Sequence, residues 1–191
     1  QYILGNTIHT IGGNANDVTS GVASMEVNVN NSGWQVASGA ATWAYNLAVT
    51  EGRYTIQSRA TDVAGNVETP GSGLTVIADA TPPNVTLNAL PTTPISLTRN
   101  AAGLWTLALV GTASDPTSGG QPGSGVQPGS VEVLLQGGSA DGNDWQPVTL
   151  NGNNWSLNYT FANGVLDPTG AYTVSVRAAD NVGNQSYVTA T

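Results

Sequence analysis

Apolar and polar positions alternate with a period of two along much of this chain. Trp155, Leu157, Tyr159 and Phe161 are separated by Ser156, Asn158 and Thr160, and Trp43, Tyr45, Leu47 and Val49 are spaced in the same way. Tyr172, Val174, Val176 and Ala178 likewise alternate with Thr173, Ser175 and Arg177. Each run predicts a half-buried antiparallel strand, because a period of two sends successive side chains to opposite faces. The breaks are rich in turn formers: Asn-Asn-Ser-Gly at 30–33, Asp-Gly-Asn-Asp at 141–144, Asn-Gly-Asn-Asn at 151–154 and Asp-Pro-Thr-Gly at 167–170. No segment carries a helical period. In the second half, strands are expected near 84–90, 104–114, 131–136, 145–150, 155–162, 171–179 and 185–190. Seven short strands in that span predict an all-β fold, a Greek-key β-sandwich.

The same pattern occurs twice. Asn-Ala-Asn-Asp (14–17) matches Thr-Ala-Ser-Asp (112–115), Ser-Gly-Val (20–22) matches 124–126, and Met-Glu-Val (25–27) matches Val-Glu-Val (131–133). Trp34-Gln matches Trp145-Gln, and Trp43 matches Trp155. Tyr-Thr-Ile-Gln-Ser-Arg-Ala-Thr-Asp-Val-Ala-Gly-Asn (54–66) aligns with Tyr-Thr-Val-Ser-Val-Arg-Ala-Ala-Asp-Asn-Val-Gly-Asn (172–184). The offset grows from 98 to 118, so the second repeat has absorbed loop insertions. Two homologous domains are expected, 1–79 and 80–191, joined at Asp79-Ala-Thr-Pro-Pro83, where paired prolines favour a stiff, extended connection. The first repeat has only 14 residues before its Ala-Asn-Asp motif, so its first strand is short, Tyr2-Ile3-Leu4, or missing. A sandwich lacking that strand exposes an edge that another strand could fill.

Composition removes several functions. The chain has 191 residues, four of them basic and all four Arg (53, 59, 99 and 177), with 12 acids, no Cys and a net charge of -8. Without Lys there is no phosphate-loop lysine, no Schiff base and no Lys–Asn crosslink; without Cys there is no disulfide, thiolate nucleophile or Cys-ligated zinc. An acidic chain with so few cations is unsuited to nucleic acid. No apolar run is long enough to insert in a membrane, and the start, Gln-Tyr-Ile-Leu-Gly, lacks a charged, then apolar, export signal. The sequence reads as a mature or excised segment.

The ordered set Ala-Ser-Asp, Ser-Gly-Val, Val-Glu-Val, Trp-Gln, Tyr-Thr-Val and Arg-Ala-x-Asp-x-x-Gly-Asn, with Asp-Ala-Thr-Pro-Pro after the first repeat, resembles the bacterial Ig-like repeats of large surface and secreted, adhesin-type proteins. The resemblance covers nearly the whole chain. It implies two tandem Ig-like sandwiches, an extracellular location at the cell surface or in secretion, and no catalysis. It also places Tyr54 and Tyr172 at the start of the sixth strand, where such sandwiches carry a tyrosine whose hydroxyl bonds nearby backbone. The chain departs from antibody domains in lacking the Cys pair and a Trp on the third strand.

Repeated acids give the candidate chemistry. Asp115 ends the second strand of the second repeat and Asp180 ends the sixth, so both are expected at the entry pole, beside Asp79 of the linker. With oxygens of Asn181 and Asn184, these carboxylates could hold calcium, which takes about six to eight hard oxygens, as a structural cofactor that stiffens the junction. The competing reading is that Asp-x-x-Gly-Asn is a tight turn, Gly183 and Asn184 adopting left-handed φ and the Asp bonding its own backbone. Asp17 and Asp62 are the matching pair in the first repeat. Asp141 to Asp144 forms either a cation loop or a polar hairpin turn.

Enzyme readings lack their parts. His9 is the sole His and has no counterpart in the second repeat, and no Gly-x-Ser-x-Gly elbow occurs. Glu26 and Glu132 point outward, one per domain, and not as the close pair a glycosidase requires. Arg59 and Arg177 are expected to pair with a carboxylate or to cover apolar surface. Trp43, Trp105 and Trp155 are in phase with inner faces, whereas Trp34 and Trp145 stay open to sugar stacking. The leading expectation is a rigid stalk module whose partners are neighbouring repeats or copies of itself. Two alternatives stand beside it: a homopolymeric surface filament built by strand complementation, and a carbohydrate-binding accessory module of a secreted hydrolase, with a cell-surface glycan as partner.

Overall fold

The computed structural model describes residues 1–88, 97–138, 144–162 and 170–190. The described residues contain strands and no helix. They form two compact units, Gln1–Ala80 with Ser118–Gln121, and Thr81–Thr117 with Pro122–Thr191. The division falls one residue beyond the expected 79/80 boundary. It also assigns to the first unit the short turn Ser118–Gln121, which closes on itself through reciprocal backbone hydrogen bonds of 2.8 and 2.9 Å.

The first unit contains β1 (Tyr2–Leu4), β2 (Thr7–Asn14), β3 (Val22–Val29), β4 (Trp34–Val36), β5 (Ser38–Gly39), β6 (Thr42–Val49), β7 (Gly52–Asp62) and β8 (Leu74–Asp79). One sheet runs in the order β1-β8-β7-β3-β4 and the other β2-β6-β5. The first strand is present and occupies Tyr2–Leu4, but it pairs parallel with β8 and, among the described residues, leaves β2 joined only to β6. Met25, Val27, Leu47, Val49, Ile56, Val76 and Ala78 form the buried core between the sheets.

The second unit contains β9 (Asn84–Leu87), β10 (Thr98–Arg99), β11 (Trp105–Ser114), β12 (Glu132–Gln136), β13 (Gln146–Pro147), β14 (Leu150–Asn151), β15 (Asn154–Thr160), β16 (Thr173–Ala179) and β17 (Gln185–Ala190). Its sheets are β10-β11-β15-β14, with β9 also on β11, and β13-β12-β16-β17. Trp155, Phe161, Leu109, Leu135, Val133, Val174 and Val176 fill its core. In both units the chain crosses repeatedly between the two sheets, as from β2 to β3, β4 to β5 and β6 to β7, and from β11 to β12, β13 to β14 and β15 to β16, which makes each one a Greek-key sandwich.

The strand expected over 145–150 is two short strands on opposite sheets. β13 pairs with β12 and β14 with β15, and buried Val148 crosses between them, its N–H donating to Val131 O at 2.9 Å. Pro147 carries no N–H for a continuing ladder, so the chain changes sheets there. The first unit repeats the device: β4 lies on β3, β5 on β6, and buried Ala37 donates to Met25 O at 2.9 Å. All four arginines lie inside strands, Arg53 and Arg59 in β7, Arg99 in β10 and Arg177 in β16.

Candidate functional site

The repeated Asp-x-x-Gly-Asn folds into the same turn in both units. In the second, Asp180 N donates to Asn184 O at 3.0 Å and Gly183 N to Asp180 O at 3.3 Å. The Asp180 side chain, with no exposed surface, accepts from the N–H groups of Val182, Gly183 and Asn184 at 2.7–2.9 Å on Oδ1. Its Oδ2 accepts from Asn184 Nδ2 at 2.7 Å. In the first unit, Asn66 N and Nδ2 both reach Asp62 at 2.7 Å, and Gly65 stands where Gly183 stands. The left-handed conformation falls on the glycines, at φ 91° and 104°. Asn184 does not share it, contrary to expectation, because its work is done by the amide group that closes the turn. These donors favour the ionised carboxylate: in the first unit, the Asn66 side chain and then its backbone N–H hold the Asp62 carboxyl below its ordinary value, against a smaller opposing effect of burial.

Asp115 and Asp180 meet as expected, their carboxylate oxygens approaching within 4.8 Å in the second unit. Asp115 Oδ2 accepts from Gly125 N at 2.6 Å, so it anchors the loop that returns to β12. Asn181 binds the same loop. Its N–H donates to Gly125 O at 2.9 Å and its Nδ2 to Ser124 O at 2.8 Å. The amide nitrogens of Asn181 and Asn184 therefore act as turn donors. Asp79 closes β8 in the first unit, buried, its carbonyl accepting from Gly5 N at 2.7 Å. Of the expected 141–144 loop, residues 141–143 lie outside the described ones.

A second repeated constellation was legible only in pieces. Glu26 and Arg59 are direct cross-strand neighbours on β3 and β7, with Arg59 Nε 2.7 Å from Glu26 Oε2 and the guanidinium 4.2 Å from the centre of the Trp34 ring. Glu132, Arg177 and Trp145 reproduce it, at 2.6 Å for the ion pair and 4.3 Å for the ring. The carboxylate fixes the guanidinium plane, and that plane covers one indole face. Each Trp left open to sugar stacking thus has one face occupied by Arg. Among the three Trp assigned to inner faces, Trp155 is 2% exposed, whereas Trp43 and Trp105 are half-buried, Trp105 lying under Arg99 at 4.3 Å.

Tyr54 adopts the expected corner geometry, its hydroxyl accepting from Thr50 N at 2.9 Å. Tyr172 packs edge-on against Phe161 at 5.8 Å. His9 spans only from β2 to Leu4 O, at 2.7 Å.

Residues 39–115 match the family model of the bacterial Ig-like domain (group 3). Over these residues the chain is similar to bacterial Ig-like domains. The match begins at β5 and ends at Asp115, so its frame takes in the end of one sequence repeat and the beginning of the next. Solved fibronectin(III)-like modules of Clostridium thermocellum CbhA are similar in structure, with 16% identity and a TM-score of 0.48, over 99% of this chain and 86% of that one. No curated protein matches the chain.

Proposed function

We propose that this chain is a non-enzymatic structural segment of a bacterial surface or secreted protein, in which tandem Ig-like repeats act as a spacer. The observation that carries the reading is that what the two repeats share is structural. The sheet-crossing residue, the Asp-anchored turn and the Glu–Arg–Trp stack recur in both units. The candidate catalytic groups form no repeated catalytic arrangement: His9 has no counterpart, and each repeated Glu is bound to an Arg. A spacer must resist extension, and laterally hydrogen-bonded sandwiches unfold cooperatively. Pulling single molecules of the chain between its termini is expected to give two abrupt unfolding events, one per unit. Gradual extension without abrupt events would overturn the reading.

A second element of the proposal is calcium on the second unit. Its support is the approach of Asp115 to Asp180, since two carboxylates that close repel each other in a partly buried site and a divalent cation would offset the repulsion. Saturating calcium is expected to raise the melting temperature and a chelator to reverse the rise, with Asp115→Asn abolishing the response. Asp79→Asn tests whether Asp79 contributes. A shift below about 1 °C in saturating calcium would remove the cation from the proposal.

A further inference from the structure

The Glu–Arg–Trp stack recurs in both units, but the second unit builds on it. Pro147, Glu132, Arg177 and Tyr187 stand directly opposite one another across β13, β12, β16 and β17, so their side chains form one row on the outer face of that sheet. The repeat alignment puts Thr69 where Tyr187 stands, and Thr69 lies outside the strands of the first unit. What sets the second stack apart is an aromatic ring.

Tyr187 is 62% exposed, yet its ring is held. Its hydroxyl donates to Ser175 Oγ at 2.9 Å, and buried Ser175 also meets Thr189 Oγ1 at 3.3 Å. Ser175 lies two residues before Arg177, so the phenol runs diagonally from β17 across β16 and turns a flat face to solvent. Holding the ring at both ends removes its rotamer freedom in advance, so stacking a ligand on it costs little further order. Trp145, the ring that the sequence left open to sugars, has Arg177 over one face and meets Tyr187 edge-on, with centres 6.1 Å apart. The available platform is therefore Tyr187.

Beside the row opens a cleft of about 260 Å³ whose lining includes Glu132, Arg177, Ala179 and Gln185. Ala179 and Gln185 are cross-strand partners in the row next to Arg177 and Tyr187, and the small Ala179 side chain leaves the gap that the Gln185 amide borders. Both guanidinium contacts of Arg177 fall on Glu132 Oε2, from Nε at 2.7 Å and Nη2 at 2.6 Å. That leaves Glu132 Oε1 as an acceptor and Arg177 Nη1 as a donor, in a pair whose charges cancel. An exposed aromatic face with such groups along one side is complementary to a sugar ring, which has an apolar face of C–H groups and a rim of hydroxyls that both donate and accept. A wholly apolar ligand would leave Glu132 and Arg177 unsatisfied, and an ionic one would find its counter-charge already taken.

We infer that Tyr187 and this cleft form a subsite for a neutral glycan, one sugar ring stacking on the phenol with its hydroxyls turned towards Arg177, Glu132 and Gln185. The inference goes beyond the spacer reading and stands without it, because a spacer needs no ligand.

The probes are laminaripentaose, mannopentaose and chitopentaose, neutral chains of glucose, mannose and N-acetylglucosamine, with pentagalacturonic acid as the anionic counterpart. Titrated into the intact chain and followed by NMR, at least one neutral probe is expected to shift the amides of Tyr187 and Gln185 and the Arg177 Nε–H saturably. The expected Kd is roughly 1 mM, the scale of a single exposed subsite. The Arg59 Nε–H of the first unit should not move. Tyr187→Ala is expected to weaken binding roughly fivefold or more, through the C–H area left uncovered, and Tyr187→Phe, which keeps the ring and loses its tether, to weaken it by less. Gln185→Ala is expected to weaken binding as well, and it decides the matter if Tyr187→Ala unfolds. No saturable shift with any neutral probe up to about 20 mM, far above the expected Kd, would overturn the inference. So would binding that survives both Tyr187→Ala and Gln185→Ala, equal shifts at Arg59, or tighter binding of the galacturonate.

Discussion

Asp62 shows how one side chain carries a turn. Its two oxygens hold both the backbone and the side chain of Asn66, and these bonds are made to the ionised form. A carboxyl whose folded pKa lies below its unfolded one adds stability above the unfolded value and loses it as pH falls through the folded value. The melting temperature of the first unit is therefore expected to fall as pH drops below about 4, and the fall should be smaller in Asp62→Asn. A carbon-detected NMR titration should place the Asp62 midpoint below that of an unstructured Asp. Two glycines separate backbone strain from collision. At Gly183 an added Cβ meets nothing within 4 Å, so Gly183→Ala should cost about 1 kcal/mol through its φ of 104° alone. At Gly111 the Cβ would collide with the Thr86 carbonyl and lie 2.5 Å from the Trp155 ring, and Gly111→Ala should cost about 1–3 kcal/mol. Chemical denaturation of both variants checks the order.

Whole strands were the easiest structure to read from sequence, because burial imposes a period of two on β11 and β15. What alternation could not show is where a ladder changes sheets, since β13 and β14 are too short to display a period. Pro147 was the available signal. The sixth strand was anchored correctly by Tyr54, and Tyr54→Phe should destabilise the first unit by about 0.5–1.5 kcal/mol, measured as a lower denaturation midpoint with unchanged slope. The candidate site was legible where residues are neighbours in sequence, as in Asp180-Asn-Val-Gly-Asn184. It was half legible across strands. Glu26, Arg59 and Trp34 were each marked, but their union depends on the register of β3 with β7 and β4, which no local pattern states.

At the scale of the molecule, the chain contains two hydrophobic cores, each enclosed within its own unit. The low charge that seemed a matter of composition is therefore a matter of placement. Half of the basic residues are committed to the two Glu–Arg–Trp stacks, and the other two also lie on strands. A protease that cuts after basic residues must draw several residues of unpaired, extended chain into its cleft. With no Lys, and with Arg53, Arg59 and Arg177 inside longer strands, such an enzyme has no target at these three sites until a sheet opens, whereas Arg99 is exposed at the end of the two-residue edge strand β10. At these three sites trypsin digestion should therefore report opening of the sandwiches rather than loop accessibility. Cleavage after Arg53, Arg59 and Arg177 is expected to be slow under native conditions and to quicken in step with added urea, while Arg99 is the site cut without unfolding. Rapid native cleavage after Arg53, Arg59 or Arg177 would contradict it. On the proposed surface or secreted location, holding Arg53, Arg59 and Arg177 in strand ladders would give durability without a single disulfide.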